Sequence, residues 1–180
     1  MDRQMIDIKG YWKVNPNVVI ENDQEEKASG YDERYRFDGK AFIDNDGNIM
    51  GIVRNFLFEN EPYLVIGTKM VNDDGEEEVI LNKLSNQGLP PTIYTAKKNE
   101  FNVYTGEYGI YDDYLFPNTG SCQLSIQENK IGLDLDAKLS SEINSFVDAS
   151  SLETKDTIDK LKNDSTYLMG MPVYEEGKVY

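Results

Sequence analysis

Clusters of acids and amides are the residues in this sequence whose types and spacing first suggest chemistry. Residues 44–48 read Asp-Asn-Asp-Gly-Asn, which superficially matches a calcium-binding loop. A calcium-binding hand needs alternate oxygen ligands, a glycine at its sixth position and an acid at its twelfth, between two helices. Here the glycine comes fourth and the flanking residues alternate as strands do. We therefore interpret this cluster, and residues 73–75, as hairpin turns, and we predict no metal site.

Paired carboxylates at residues 73–78 and 112–113 could act as acid and base if burial separated their pKa values. Both groups fall in predicted turns, which favours solvated positions. The chain contains no histidine, the commonest general base and a usual ligand of transition metals. It also has no phosphate-binding loop and no nucleophile elbow. The sequence therefore favours a noncatalytic protein with no catalytic residues and no cofactor.

A single cysteine limits both covalent chemistry and cellular location. Cys122 cannot form an intrachain disulfide, and it alternates with Leu124 and Ile126 in a pattern that predicts a core position. The chain has no apolar run long enough for a signal peptide or a membrane span. These features predict a soluble, cytoplasmic protein that does not enter membranes, unless a leader was removed.

The charge balance is strongly acidic, with 33 acids against 18 bases and a formal net charge of −15. Such a charge repels nucleic acid phosphates, so we expect no direct nucleic-acid binding. It also raises the alternative of a protein-interaction or regulatory module that docks on a basic partner. The acidic clusters at residues 21–26 and 73–78 motivate that alternative.

The elements that must position any site are mostly strands. Residues 31–43 alternate between apolar and polar side chains, and a turn at 44–48 leads into a second β-rich stretch at 49–58. A second hairpin is predicted from residues 63–71 and 77–84. A third is predicted from 92–96 and 100–108, with a positively charged tip at 97–99.

The remaining segments are predicted as follows. Residues 85–91 contain consecutive prolines and should form an irregular connection. A strand at 122–127 is predicted to turn at 128–130 into a further strand at 131–135. Apolar residues at helical spacing then predict one broken helix or two short ones over 138–163, with Ser151 as an N-cap. A terminal strand should follow at about 166–176, with Pro172 favouring a sheet edge.

These elements predict one domain over residues 1–180, with a barrel at about 5–135, the helical segment and the terminal strand. We expect a mostly β fold in which an antiparallel meander closes into a barrel. Closure is favoured because it removes exposed strand edges. A β-sandwich is the alternative.

Two short motifs resemble those of lipocalins and related calycins. Gly10 and Trp12 match the G-x-W signature on a first strand, and Asp113 and Tyr114 match part of the T-D-Y turn. The arginine that packs over the tryptophan in that family has no counterpart, because no arginine follows Arg54. The resemblance implies a closed barrel that accepts a small, partly apolar ligand.

Aromatic side chains are the candidate ligand contacts. We expect them among Trp12, Tyr35, Phe37, Phe101 and Tyr104. The sequence does not say whether these rings face the interior, and an eight-stranded barrel can also be filled by its own side chains. An assembly role without a ligand is a third alternative.

Overall fold

The fold is a closed barrel of eight antiparallel strands, seen in a computed structural model that describes residues 3–14, 31–110, 119–129, 133–163, 174–175 and 178–179. Each strand pairs with the next, and the eighth pairs with the first. The strands are β1 (Arg3–Val14), β2 (Arg36–Asp44), β3 (Asn48–Asn55), β4 (Phe58–Val71), β5 (Glu77–Leu84), β6 (Thr92–Lys98), β7 (Tyr104–Ile110) and β8 (Thr119–Asn129). The closed barrel confirms the predicted fold and excludes the sandwich.

Alternation along the strands separates two apolar clusters. Side chains of one parity fill the barrel, among them Ile8, Phe37 and Leu81. Side chains of the other parity, such as Phe42 and Leu64, face outward and are covered by helices. Successive residues of a strand point to opposite faces of a sheet, so each strand contributes to both clusters.

Two helices pack on the outer face of the barrel, and they confirm the predicted helical segment. They are α1 (Leu133–Ala149) and α2 (Leu152–Asn163), which contact β3 and β4. Phe146 of α1 and Leu161 of α2 are buried in the outer cluster. The backbone N–H of Thr154 donates to the Ser151 hydroxyl at 3.2 Å, which confirms the predicted N-cap.

The strand predicted at 131–135 is wrong at residues 133–135, which form the first turn of α1, and its first two residues lie outside the described ranges. Asp134 and Asp136 lie in the first turn of the helix, where carboxylates favour the helix dipole. Leu135 and Leu139 are four residues apart and both contact the outer cluster. β8 also continues through Glu128 and Asn129, two residues of the turn predicted at 128–130, and both pair with β1.

Hairpin turns explain two of the acid and amide clusters, those at 44–48 and 73–75. Asp44 accepts hydrogen bonds from the backbone N–H groups of Asp46 and Asn48, each at 2.9 Å, so the carboxylate holds the turn together. The turn at 72–76 uses the side chain of Asn72 in the same way. The irregular connection at 85–91 is likewise confirmed.

The third hairpin is present, but its turn lies at residues 99–103 rather than at 97–99. Lys97 and Lys98 belong to β6, so the predicted positive tip is wrong. The Asn99 side chain accepts from the backbone N–H groups of Phe101 and Val103, at 2.8 and 3.1 Å, and this sets the later turn.

The terminal segment forms a small separate sheet. Of the strand predicted at 166–176, the structure describes β9 (Tyr174–Glu175), which pairs with β10 (Lys178–Val179). The rest, including Pro172, lies outside the described residues. No helix in the described ranges is long and apolar enough to cross a membrane.

Candidate functional site

A lysine lies inside the barrel. We call the end of the barrel at which β1 ends and β2 begins the upper end, and the opposite end the lower end. Lys83 is the penultimate residue of β5 and shares its inward parity with Val79 and Leu81, so its side chain enters the interior near the upper end. It is 7% exposed, and among the described residues no other charged side chain is buried.

Four aromatic rings enclose the Lys83 ammonium. They come from four different strands, and the distances from Nζ to the ring centroids are 4.8 Å to Trp12, 4.9 Å to Phe37, 5.1 Å to Tyr63 and 5.6 Å to Tyr94. Each distance is short enough for cation–π attraction. We call these four rings the aromatic enclosure.

The polar surroundings of Lys83 are sparse. Its Nζ donates to Oδ1 of Asn55 at 3.0 Å. No carboxylate of the described ranges lies within ion-pair distance of Nζ. Removal from water disfavours the charged form, and burial lowers the pKa of Lys83 from 10.5 to about 7.

The four rings of the enclosure differ in burial. Phe37 and Tyr94 are 0% and 1% exposed and belong to the solid interior below the amine. Trp12 and Tyr63 are only partly buried. Tyr35 extends the wall beyond Trp12, with ring centroids 6.0 Å apart. The amine therefore lies between fully buried rings on one side and partly exposed rings on the other.

A charged cluster occupies the lower end. Oε2 of Glu77 accepts from Nζ of Lys98 at 3.2 Å and from the Tyr104 hydroxyl at 3.0 Å, and Nζ of Lys69 lies 3.8 Å away. The hydrogen bond from Lys98 lowers the pKa of Glu77. These contacts tie β4, β5, β6 and β7 together, so the lower end is linked by the protein's own side chains.

A groove of about 720 Å³ lies outside the barrel, lined by α1 and by strands β1–β4 and β8. Several of its charges pair with one another. The pairs are Lys40 with Asp7 at 2.7 Å, Arg36 with Asp38 at 3.1 Å and Arg54 with Glu142 at 3.3 Å. Because these pairs already satisfy much of the groove's charge, Lys83 is the stronger candidate for contacting a ligand.

No family model, curated protein or solved structure matches this chain. The resemblance to lipocalins through Gly10 and Trp12 therefore stays a prediction. Asp113 and Tyr114, which also carry it, lie outside the described residues, as do the acids at 112–113. The function must be argued from the geometry of the site.

The structure brings together three of the five predicted ligand contacts. Trp12, Tyr35 and Phe37 lie at the upper end, with centroid distances of 6.0 and 6.4 Å from Trp12 to the other two. Tyr104 is buried, but its hydroxyl belongs to the lower cluster. Phe101 is 76% exposed in the turn between β6 and β7, away from the interior.

Sequence reasoning missed the residues that define the enclosure. Lys83, Asn55, Tyr63 and Tyr94 were not among the candidates. One signal was available, since Lys83 follows Val79 and Leu81 in the inward parity of a predicted strand. A charged residue among the inward-facing residues of a strand is expected to be buried, and buried charged groups with shifted pKa values are common at functional sites.

Two other sequence candidates have structural explanations. Cys122 is 1% exposed, and burial raises the pKa of its thiol to about 12, so it packs as an apolar side chain. The cluster at 73–78 is partly neutralised, because Glu76 and Glu78 each lie 3.7 Å from Nζ of Lys97. The cluster at 21–26 lies outside the described residues.

Proposed function

We propose that this protein binds a small, partly apolar molecule that carries a carboxylate, at the upper end of its barrel. One observation carries the proposal: the Lys83 amine is buried among aromatic rings, and it donates a hydrogen bond to a neutral amide, that of Asn55. Buried cations in proteins are normally paired, because an isolated charge is costly to remove from water.

A ligand carboxylate would supply the counter-ion. A hydrogen bond between an ammonium and a carboxylate is stronger than one between neutral groups. The exposed sides of Trp12 and Tyr35 would contact the apolar part of the ligand, as aromatic side chains do in most small-molecule sites. The site thus combines one polar anchor with an apolar wall.

The acid–base behaviour of Lys83 makes the proposal specific. Its pKa near 7 means that the cation is present mainly below that pH. A bound carboxylate favours the cation, so binding should be tighter at pH 6 than at pH 8 and should take up protons above neutrality.

The test uses hydrocinnamate and its neutral analogue hydrocinnamyl alcohol, with Trp12 fluorescence as the readout. The wild type should prefer the acid by about tenfold or more, as expected for a charge-assisted hydrogen bond. Lys83→Met should lose that preference. Lys9→Met, a change to an exposed lysine on β1, should retain it. Equal affinities of the wild type for the two compounds, or no binding of either, would contradict the proposal.

The alternative of an acidic module that docks on a basic partner has no specific observation in its favour. The described acids of the 73–78 cluster are partly paired with Lys97 and Lys98 of the same molecule. We retain the cytoplasmic location proposed from the sequence, since Cys122 is a buried free thiol.

A further inference from the structure

The surroundings of the Lys83 amine suit a nucleophile as well as a group that binds an anion. Its Nζ makes a hydrogen bond to a neutral oxygen, Oδ1 of Asn55, and the four rings exclude most water from it. An ion pair would keep the nitrogen protonated as an ammonium. An ammonium has no lone pair and cannot act as a nucleophile. In the described ranges Lys83 has no such pair.

Burial separates Lys83 chemically from exposed lysines. With its pKa lowered to about 7, Lys83 carries a free lone pair at neutral pH in a far larger fraction of molecules than an exposed lysine does. An ordinary lysine, with a pKa near 10.4, is neutral in only about one molecule in 2,500 at pH 7. Desolvation of this kind is one of the ways in which lysine is activated for attack on carbonyl carbon.

We propose that Lys83 captures small apolar or aromatic aldehydes as a reversible imine at the upper end of the barrel. This inference rests on the proposed function, because the aldehyde must enter the same site. The position of the amine supports it, since Nζ lies at the boundary where the fully buried Phe37 and Tyr94 meet the partly exposed Trp12 and Tyr63.

The reaction balances without an oxidant or a reductant. The Nζ lone pair forms a bond to the carbonyl carbon, and the carbonyl π electrons move to oxygen. Transfer of one proton from nitrogen to oxygen gives a neutral carbinolamine. The nitrogen lone pair then forms the C=N bond as the hydroxyl leaves with a second proton as water. One aldehyde and one primary amine give one imine and one water, and hydrolysis reverses the reaction.

Asn55 is the positioning residue for this step. Its Oδ1 accepts one N–H of the amine at 3.0 Å, which restrains the rotation of the terminal nitrogen. The aromatic enclosure provides flat surfaces on which the ring of an aromatic aldehyde can stack. These contacts favour aldehydes with an apolar body over small hydrophilic ones.

The experiment traps the imine with cyanoborohydride, using hydrocinnamaldehyde as the probe and limiting aldehyde at pH 7. Peptide mapping of the wild type then locates the adduct among the 14 lysines of the chain. Lys83 should be labelled at least about tenfold faster than the exposed Lys9, because burial disfavours the protonated form of the Lys83 amine. Lys83→Met should lose this rapid labelling. The positions labelled in the wild type are determined without the variant, so the result does not depend on how the variant folds.

Labelling that follows exposure across the lysines, with Lys83 among the slowest, would overturn the inference. Hydrocinnamate binding in parallel separates this result from the proposed function. If hydrocinnamate binds and Lys83 is not labelled, only the imine is wrong. If Lys83 is labelled selectively but hydrocinnamate does not bind, the inference stands and the carboxylate is the wrong ligand group. If neither occurs, both proposals fail.

Discussion

The ring of Phe37 lies directly against the backbone of Gly10 inside the barrel, where the two residues face each other across β1 and β2. A Cβ on residue 10 would lie 2.3 Å from two atoms of that ring and 2.9 Å from the side chain of Leu124. Glycine at this position therefore allows Phe37 to form the floor of the aromatic enclosure. The glycine of the G-x-W motif thus has a physical role that is independent of any family.

Gly10→Ala should destabilise the protein, because the added methyl group must displace the Phe37 ring. Overpacking of a filled core costs about 1–3 kcal/mol, which urea denaturation would measure. Lys9→Ala changes the neighbouring exposed position and should alter the unfolding free energy by less than about 0.5 kcal/mol. Equal stability of the two variants would show that Phe37 does not need the space at Gly10.

Lys83→Met should stabilise the protein at neutral pH. The variant keeps an unbranched side chain but removes a buried amine, so we expect a gain of roughly 2–4 kcal/mol at pH 6. Cation–π attraction from the four rings offsets part of the cost in the wild type. Thermal and urea unfolding of both proteins would measure the difference.

The gain from Lys83→Met should depend on pH in a defined direction. The pKa of Lys83 is about 7 in the folded state and near 10.5 in the unfolded state. Between these values the unfolded chain binds more protons, so wild-type stability rises with pH. The advantage of the variant should be largest below about pH 7 and should shrink towards pH 10. An advantage that does not change with pH would contradict the burial of a titrating amine.

Glu77→Gln should weaken the lower end of the barrel. The substitution removes the charge that attracts Lys98 and Lys69, and the expected loss is up to about 1 kcal/mol because these groups are partly exposed. The pKa of Glu77 is lowered by its bond to Lys98, so the loss should be present above about pH 4.5 and disappear at lower pH. Asp73→Asn, in an exposed turn, is the matched control, and an equal effect there would exclude a specific role for Glu77.

Leu161→Ala tests whether the helices are integral to the fold. Leu161 of α2 is 0% exposed in the outer cluster, and truncation of a buried leucine costs about 2–5 kcal/mol. Leu152→Ala, in the same helix, changes a residue that is 77% exposed and should cost far less. Equal, small losses of unfolding free energy would mean that α2 contributes little to stability.

The sequence predicted the barrel because local chemistry determines its hairpins. Asp44 and Asn72 hold their turns with side chains that lie within a few residues of the groups they bind. Residues 133–135 were misassigned because a short alternation is equally compatible with the first turn of a helix. Contacts with distant residues decide between the two, since Leu135 and Leu139 pack in the outer cluster, and such contacts are not a local property.

The candidate site was only partly predictable. The parity of Lys83 places its side chain inside, but the rings around it come from β1, β2, β4 and β6. Which residues of four strands lie at the same height depends on their register, and one sequence does not reveal the register. Trp12 and Phe37 were predicted as ligand contacts because they are aromatic residues on predicted strands. Tyr63 and Tyr94 can be recognised as part of the site only from their distances to Nζ of Lys83.

The most direct test of the central claim is a pH titration of Trp12 fluorescence from about pH 5 to about pH 9. Trp12 is the only tryptophan, its ring centroid lies 4.8 Å from Nζ of Lys83, and the chain has no histidine to titrate in this range. We predict a transition with a midpoint near pH 7 in the wild type that is absent in Lys83→Met. A flat wild-type titration, or the same midpoint in Lys83→Met, would contradict a buried, titrating Lys83 amine beside Trp12.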